Sequence, residues 1–204
     1  MGISNNGSFK DILRHSLAEL ELKRVDSSKT ELEKLKRRSE ARRISKSIIK
    51  NDAENTYGFH TLLKIRLDEL KELFKQEDEA SIARTMREFE KEILQAKTEL
   101  PTDDFILDAE SKYSKLIGDN PRALRSLESA FAHNKRSPYA GIRLARFYES
   151  EGRINDALKV LNDCVEHNPG DKELRLALAL AYMHQDENEN AENIHFHLRR
   201  SFTE

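Results

Sequence analysis

One cysteine, four prolines and seven glycines are all that 204 residues contain of these types, and each scarcity closes off a class of protein. A lone Cys164 cannot form an internal disulfide, which points to a core residue in a reduced, cytoplasmic protein. So few helix breakers, beside 37% hydrophobic and 35% charged residues, predict helices with solvated outer faces and argue against a sheet protein. No apolar run approaches the roughly 20 residues that span a bilayer, and the first residues lack the apolar segment of a secretory signal. Position six is Asn6, where an N-myristoylation signal requires Ser or Thr. A formal charge of −2 supplies no global field for nucleic acid or an anionic membrane.

Material for chemistry is equally short. No GxxxxGK[ST] phosphate loop occurs. In His195-Phe196-His197 the two imidazoles are two residues apart, which sends them to different faces of a helix, whereas ligand pairs on a helix are three or four apart. His60 has no cysteine or carboxylate at ligand spacing, and no Ser-His-Asp or Cys-His arrangement can be traced. The expectation is a chain without catalytic residues, cofactor or metal.

What the sequence does have is repetition. A shift of 34 residues carries Leu144 to Leu178, Ala145 to Ala179 and Tyr148 to Tyr182, then Gly118 to Gly152, Ala123 to Ala157 to Ala191, and His133-Asn134 to His167-Asn168. Small alanines suit points where two helix axes approach closely, and Cys164 takes the small position held by Ala130 one unit earlier. Ser137 and Pro138 start a helix, Gly152 ends one in a left-handed conformation, and Asn168-Pro169-Gly170 ends the next. Leu-Ala-x-x-Tyr, then Gly, Ala and Pro169 in a 34-residue period resembles the tetratricopeptide repeat. That resemblance implies an all-α solenoid of antiparallel helix pairs.

In chain order, residues 1–7 hold nothing that could pack and are expected to be disordered. Residues 8–50 read as a helical hairpin. Ser8 and Asp11 cap a first helix with Phe9, Ile12, Leu13, Leu17 and Leu20 on its packed face, and Ser28 and Glu31 open a second with Leu32, Leu35, Ile44, Ile48 and Ile49. Residues 51–103 form a degenerate repeat ended by Pro101, with Phe89 where later units carry Ala. Thr102 caps the next helix, with Asp103 and Asp104 at its positive end. Three units follow, 104–137, 138–171 and 172–204. The last helix, Asn188 to about Phe202, presents His195 and Leu198 to the packing, and the missing polar cap predicts a native polypeptide that continues past Glu204.

Two surfaces could serve function. Register nominates a groove of Tyr139, Ile142, Arg146 and Glu149 from one unit with Leu176, Leu180 and Met183 from the next. Ile142 and Arg146, then Leu176 and Leu180, depart from the Lys and Asn that chaperone-binding members of the family use to hold a peptide carboxylate. An apolar groove edged by Arg suits an amphipathic helix. Equally, Leu176 and Leu180 could pack on a further repeat. The second surface is basic: Lys34, Arg37, Arg38, Arg42, Arg43 and Lys46, within a run that has Glu40 as its one acid. It is either a phosphate-binding face for nucleic acid or a solvated face offset by acidic neighbours. No aromatic residue interleaves it, against single-strand stacking.

The segments ILRHSLAELELKR (Ile12 to Arg24), TYGFHTLLKIRLDEL (Thr56 to Leu70), GIRLARFYESEG (Gly141 to Gly152) and IHFHLRRSFTE (Ile194 to Glu204) resemble the helical region of large bacterial STAND-type P-loop NTPases, some with sirtuin-like effector domains and linked to anti-phage defence. This implies a non-catalytic scaffold, the sensor or assembly segment of a larger protein. Its expected partners are protein, peptide, other domains of the parent chain or a second copy. A nucleic-acid-binding helical domain is the alternative.

Overall fold

The computed structural model describes residues 5–186 and 190–202, and these contain ten helices and no strand. The chain divides into two compact units, Met1–Leu116 and Ile117–Glu204, a boundary that falls inside the stretch 104–137.

The first unit holds α1 (Asn5–Asp26), α2 (Glu31–Asn51), α3 (Thr56–Gln76), α4 (Glu79–Glu99) and α5 (Asp104–Leu116). α1 packs on α2 and α3, and α3 packs on α2, α4 and α5. Asn5 to Gly7, expected to be disordered, are helical, while residues 1–4 lie outside the described residues. The start signals also differ from expectation. Ser8 lies inside α1, and Asp11 is buried and bonded to Arg14 at 3.0 Å. Thr30, not Ser28, caps α2 by accepting from Glu33 N, while Glu33 accepts in return from Lys29 N. Asp103, not Thr102, caps α5 by accepting from the N–H groups of Phe105 and Ile106.

The largest correction concerns α1. Its buried or half-buried row is Asp11, His15, Ala18, Leu22 and Val25. Ile12, Leu13, Leu17 and Leu20, expected to face the packing, are 42, 53, 47 and 43% exposed. Leu32 and Leu35 of α2 also point outward, and Ala41, Ile44 and Ile48 form its packed side. α3 is buried along most of its length, as its density of apolar residues requires, and Phe89 of α4 stacks on Tyr113 of α5 with centroids 4.3 Å apart.

The second unit holds α6 (Asn120–His133), α7 (Pro138–Ser150), α8 (Ile154–His167), α9 (Lys172–Asp186) and α10 (Ala191–Phe202). Gly118 and Gly152 sit at φ 81° and 74° in the turns that precede α6 and α8, as left-handed closures demand. Ser137 caps α7 through Ala140 N with Pro138 in its first turn, and Asn168 closes α8. Ala123, Ala145, Ala157 and Ala179 are all at most 1% exposed, at the crossings expected of them.

Ala191 breaks the series: it is exposed at the start of α10. The buried residues Ile194, His197 and Ser201, with half-buried Leu198, match Ala157, Val160, Cys164 and Leu161 at a spacing of 37 instead of 34. α9 is two residues longer than α7 and the link from α9 to α10 is one residue longer than that from α7 to α8, so the last helix enters with another face inward. His195 accordingly points out, and His197 takes the packed position.

Candidate functional site

In the second unit, α7 packs on both α8 and α9, which turns one side of α7 and α9 outward. Leu176, Leu180 and Met183 follow the i, i+4, i+7 spacing that stacks side chains on one helix face and are 39, 43 and 38% exposed. On α7 the members separate. Arg146 is exposed, Tyr139 and Glu149 are half-buried, and Ile142 is buried in the core at 8%. Ile142 therefore supports the face from beneath. The Arg143 guanidinium lies over the Tyr139 ring, 5.1 Å from its centroid, and Glu149 Oε1 is 3.7 Å from His184 Nδ1 of α9. The result is an apolar row on α9, with Glu149 of α7 near its Met183 end and Arg146 exposed on α7.

The six basic residues nominated on α2 are all engaged by carboxylates. Lys34 pairs with Glu31 at 2.7 Å, Arg37 with Glu21 at 3.0 Å, Arg38 with Glu72 at 2.7 Å, Arg43 with Glu40 at 2.6 Å and Lys46 with Glu92 at 3.6 Å; Arg42 pairs with Glu69. Glu69, Glu72 and Glu92 come from α3 and α4, and two of them, Glu69 and Glu92, serve a second purpose, because Arg66 of α3 is buried among acids. Its Nε donates to Glu92 Oε2 at 2.9 Å, and its Nη1 reaches Glu88 at 2.7 Å and Glu69 at 3.2 Å. A cleft of about 410 Å³ between α2 and α4 is lined by Arg38, Arg42, Arg66 and Arg84 facing Glu31, Glu69, Glu72 and Glu88. Sequence reading saw the cations because they are contiguous on one helix. Glu31 and Glu40 are local i, i+3 partners, whereas Glu69, Glu72 and Glu92 lie tens of residues away and carry no local signal.

His60 does have a carboxylate partner, in contrast to the reading from spacing: its Nε2 is 2.9 Å from Asp103 Oδ1, and its ring lies against Phe105. Burial alone would push the Asp103 carboxyl up, but the bond to His60 and the two capping N–H groups outweigh it and hold the group below its ordinary value. His15 Nδ1 is 3.0 Å from Thr61 Oγ1, and its ring stacks on Tyr57. Among the described residues no three His, Cys, Asp or Glu side chains come together in a way that could hold a metal ion, and no helix is long and apolar enough to cross a membrane. Cys164 is buried, and that burial pushes its thiol up to about 11, which makes it a packing residue and a poor nucleophile.

Comparison with known proteins agrees with the repeat arithmetic. Residues 118–163 and 149–200 match the family model described as tetratricopeptide repeat. No curated protein matches the sequence. Among solved structures, TTC0263, a thermophilic TPR protein in Thermus thermophilus, superposes with a TM-score of 0.60 at 19% identity, over 89% of this chain and 100% of that one. MamA gives 0.56 at 16% identity over 93% and 91%. The human IFIT1 dimer with m7Gppp-AAAA gives 0.51 at 18% identity over 81% of this chain and 37% of that one. The family match, the shared solenoid fold and the alanine-marked crossings agree, and residues 118–200 are similar in sequence to tetratricopeptide repeats.

Proposed function

We propose that the chain is a non-catalytic protein-interaction and oligomerisation module whose contact surface is the outward side of α7 and α9. The observation that carries this reading is the exposed row Leu176, Leu180 and Met183. Burying a Leu or Met side chain is worth about 1.5–3 kcal/mol, so three in one row can anchor an amphipathic helix. Arg146 and Glu149 at the border would set orientation more than affinity. The test is a titration of synthetic amphipathic helices carrying leucines at i, i+4 and i+7 against the full chain. Binding that weakens at least about tenfold in Leu180→Glu, and measurably in Arg146→Glu, supports the reading. Binding that ignores both substitutions, or none at all, refutes it.

On the wider scale, the chain serves as the sensor or assembly segment of a cytoplasmic, bacterial STAND-type NTPase. Support comes from the four segments between Ile12 and Glu204 that resemble the helical region of such proteins. Sequencing the gene on either side tests it: a GxxxxGK[ST] loop in the same reading frame is the expected result, and a stop codon with no such loop upstream would overturn it. The nucleic-acid alternative draws little support, since all six cations of its face are already paired with carboxylates. The m7Gppp-AAAA of the IFIT1 structure belongs to that protein, whose likeness to this chain is one of fold.

A further inference from the structure

The molecule carries a second outward apolar row that the fold does not use. On α1, Leu13, Leu17 and Leu20 are 53, 47 and 43% exposed, while the helix satisfies its own packing with the opposite row through Ala18 and Val25. Their spacing is i, i+4, i+7, the same as that of Leu176, Leu180 and Met183 on α9. Both rows therefore run for the same length, about 10 Å at 1.5 Å per residue. A stripe of that kind on a surface helix normally faces a core, and this helix has already supplied one from its other side.

Charge is complementary as well. Exposed lysines stand at both ends of the α1 row, Lys10 before Leu13 and Lys23 after Leu20. The α9 row has a carboxylate near each end, exposed Glu173 before Leu176, next to exposed Lys172, and Glu149 of α7, 3.7 Å from His184, beside the Met183 end. An α1 laid along α9 in either direction brings a lysine to an acid at each end. Opposed helix dipoles favour the antiparallel arrangement, which sets Lys23 at Glu173 and Lys10 at Glu149.

We propose that the face of α9 is the docking surface for α1 of a second copy of this chain, Leu13, Leu17 and Leu20 interdigitating with Met183, Leu180 and Leu176. The proposal rests on the reading of α9 as a contact surface and names its partner. The two surfaces differ, and each copy offers one α1 and one α9, so two copies exchange α1 reciprocally in a closed dimer or chain onward head-to-tail. The need for both surfaces separates it from a contact of α9 with α9 or of α1 with α1, each of which needs one.

The experiment is light scattering of the full-length chain across a concentration series, with Leu17→Glu and Leu180→Glu. Both side chains are exposed, and circular dichroism confirms that each variant is folded. The parent is expected to gain mass with concentration, to a dimer or beyond, and each variant alone to remain monomeric. An equimolar mixture of the two has one intact α1 and one intact α9 between partners, so it should reach twice the monomer mass and stop. Added salt should weaken the parent's assembly. A parent that stays monomeric overturns the proposal, whether because α1 is covered within its own chain or because nothing docks there. Self-association retained by either single variant overturns it too. If that monomeric parent still binds the amphipathic peptides through Leu180, the contact surface stands and only its assignment to a second copy falls.

Discussion

Gly141 of α7 lies directly against Cys164 of α8: a Cβ built on the glycine would overlap Cys164 Sγ, with Cys164 Cβ next at 3.4 Å. Two effects oppose each other at this crossing. Alanine at a helix interior position gains about 1 kcal/mol over glycine in propensity, whereas overpacking a filled core costs about 1–3 kcal/mol. The overlap here leaves no room to yield, because both partners sit on helix backbones. Gly141→Ala should therefore lower stability in urea denaturation, and Cys164→Ala should recover most of the loss in the double variant. A Gly141→Ala protein as stable as the parent would mean that α7 and α8 are farther apart than described.

The change of spacing at the last helix gives a sharper comparison. Ala157 and Ala191 occupy the same place in the 34-residue arithmetic, yet Ala157 is fully buried and Ala191 is exposed. Ala157→Leu should cost about 1–3 kcal/mol, while Ala191→Leu should stay within about 0.5 kcal/mol of the parent. Thermal denaturation of the two variants decides it. Equal losses would restore the 34-residue register for α10.

Legibility followed the range of the signal. Ala145, Gly152 and Ser137 announce themselves because crossing, turn and cap each need a residue type within a few positions. Leu180 and Met183 could be placed on an outward face by register alone. Ile142 could not be told from its neighbours, since whether an apolar residue on that side is covered depends on α9. The orientation of α1 is illegible for a related reason: it has two rows at helical spacing, and side-chain size alone favours the one that faces outward. The smaller row, with Ala18 against Ala41 and Ile44, allows the closer approach of axes. Glu69, Glu72 and Glu92 stayed invisible as partners of α2 because ion pairing across helices has no period.

Arg66 makes that network testable. Its side chain is 6% exposed and touches Glu69, Glu88 and Glu92, which also hold Arg42 and Lys46. Removing one member of a buried pair costs about 3–5 kcal/mol, because the remaining charge loses both water and partner. Arg66→Met should approach that loss, and Arg66→Met with Glu92→Met should regain part of it, as a double-mutant cycle in urea would record. Arg38→Gln and Arg42→Gln should likewise lower stability. Neither should change retention on heparin or duplex DNA, and a steep salt-dependent affinity lost in these variants would instead favour the nucleic-acid reading.

Acid should loosen both units through one histidine in each. Burial keeps His15 below its ordinary value of 6.5, with Glu19 opposing and with His60 and Lys64 adding to the effect; burial followed by Arg175 and Arg200 does the same for His197. A histidine whose folded value is depressed binds its proton more readily in the unfolded chain. Stability is therefore highest above pH 6.5 and falls as pH drops below that value, until the folded imidazole itself protonates. Asp103 adds no pH dependence in this window: its carboxyl is held below an ordinary value of 3.8, so its stabilisation is present throughout and is lost only as pH falls through that lower region. Melting temperature should decline from about pH 7 to about pH 5, and His15→Gln with His197→Gln should flatten the decline. His15 bridges α1 to Thr61 and Tyr57 of α3, so its protonation should release α1 first, seen as amide hydrogen exchange rising in α1 before α3. A melting temperature that is flat across this range, or exchange rising in both helices together, would show that His15 does not govern the docking of α1.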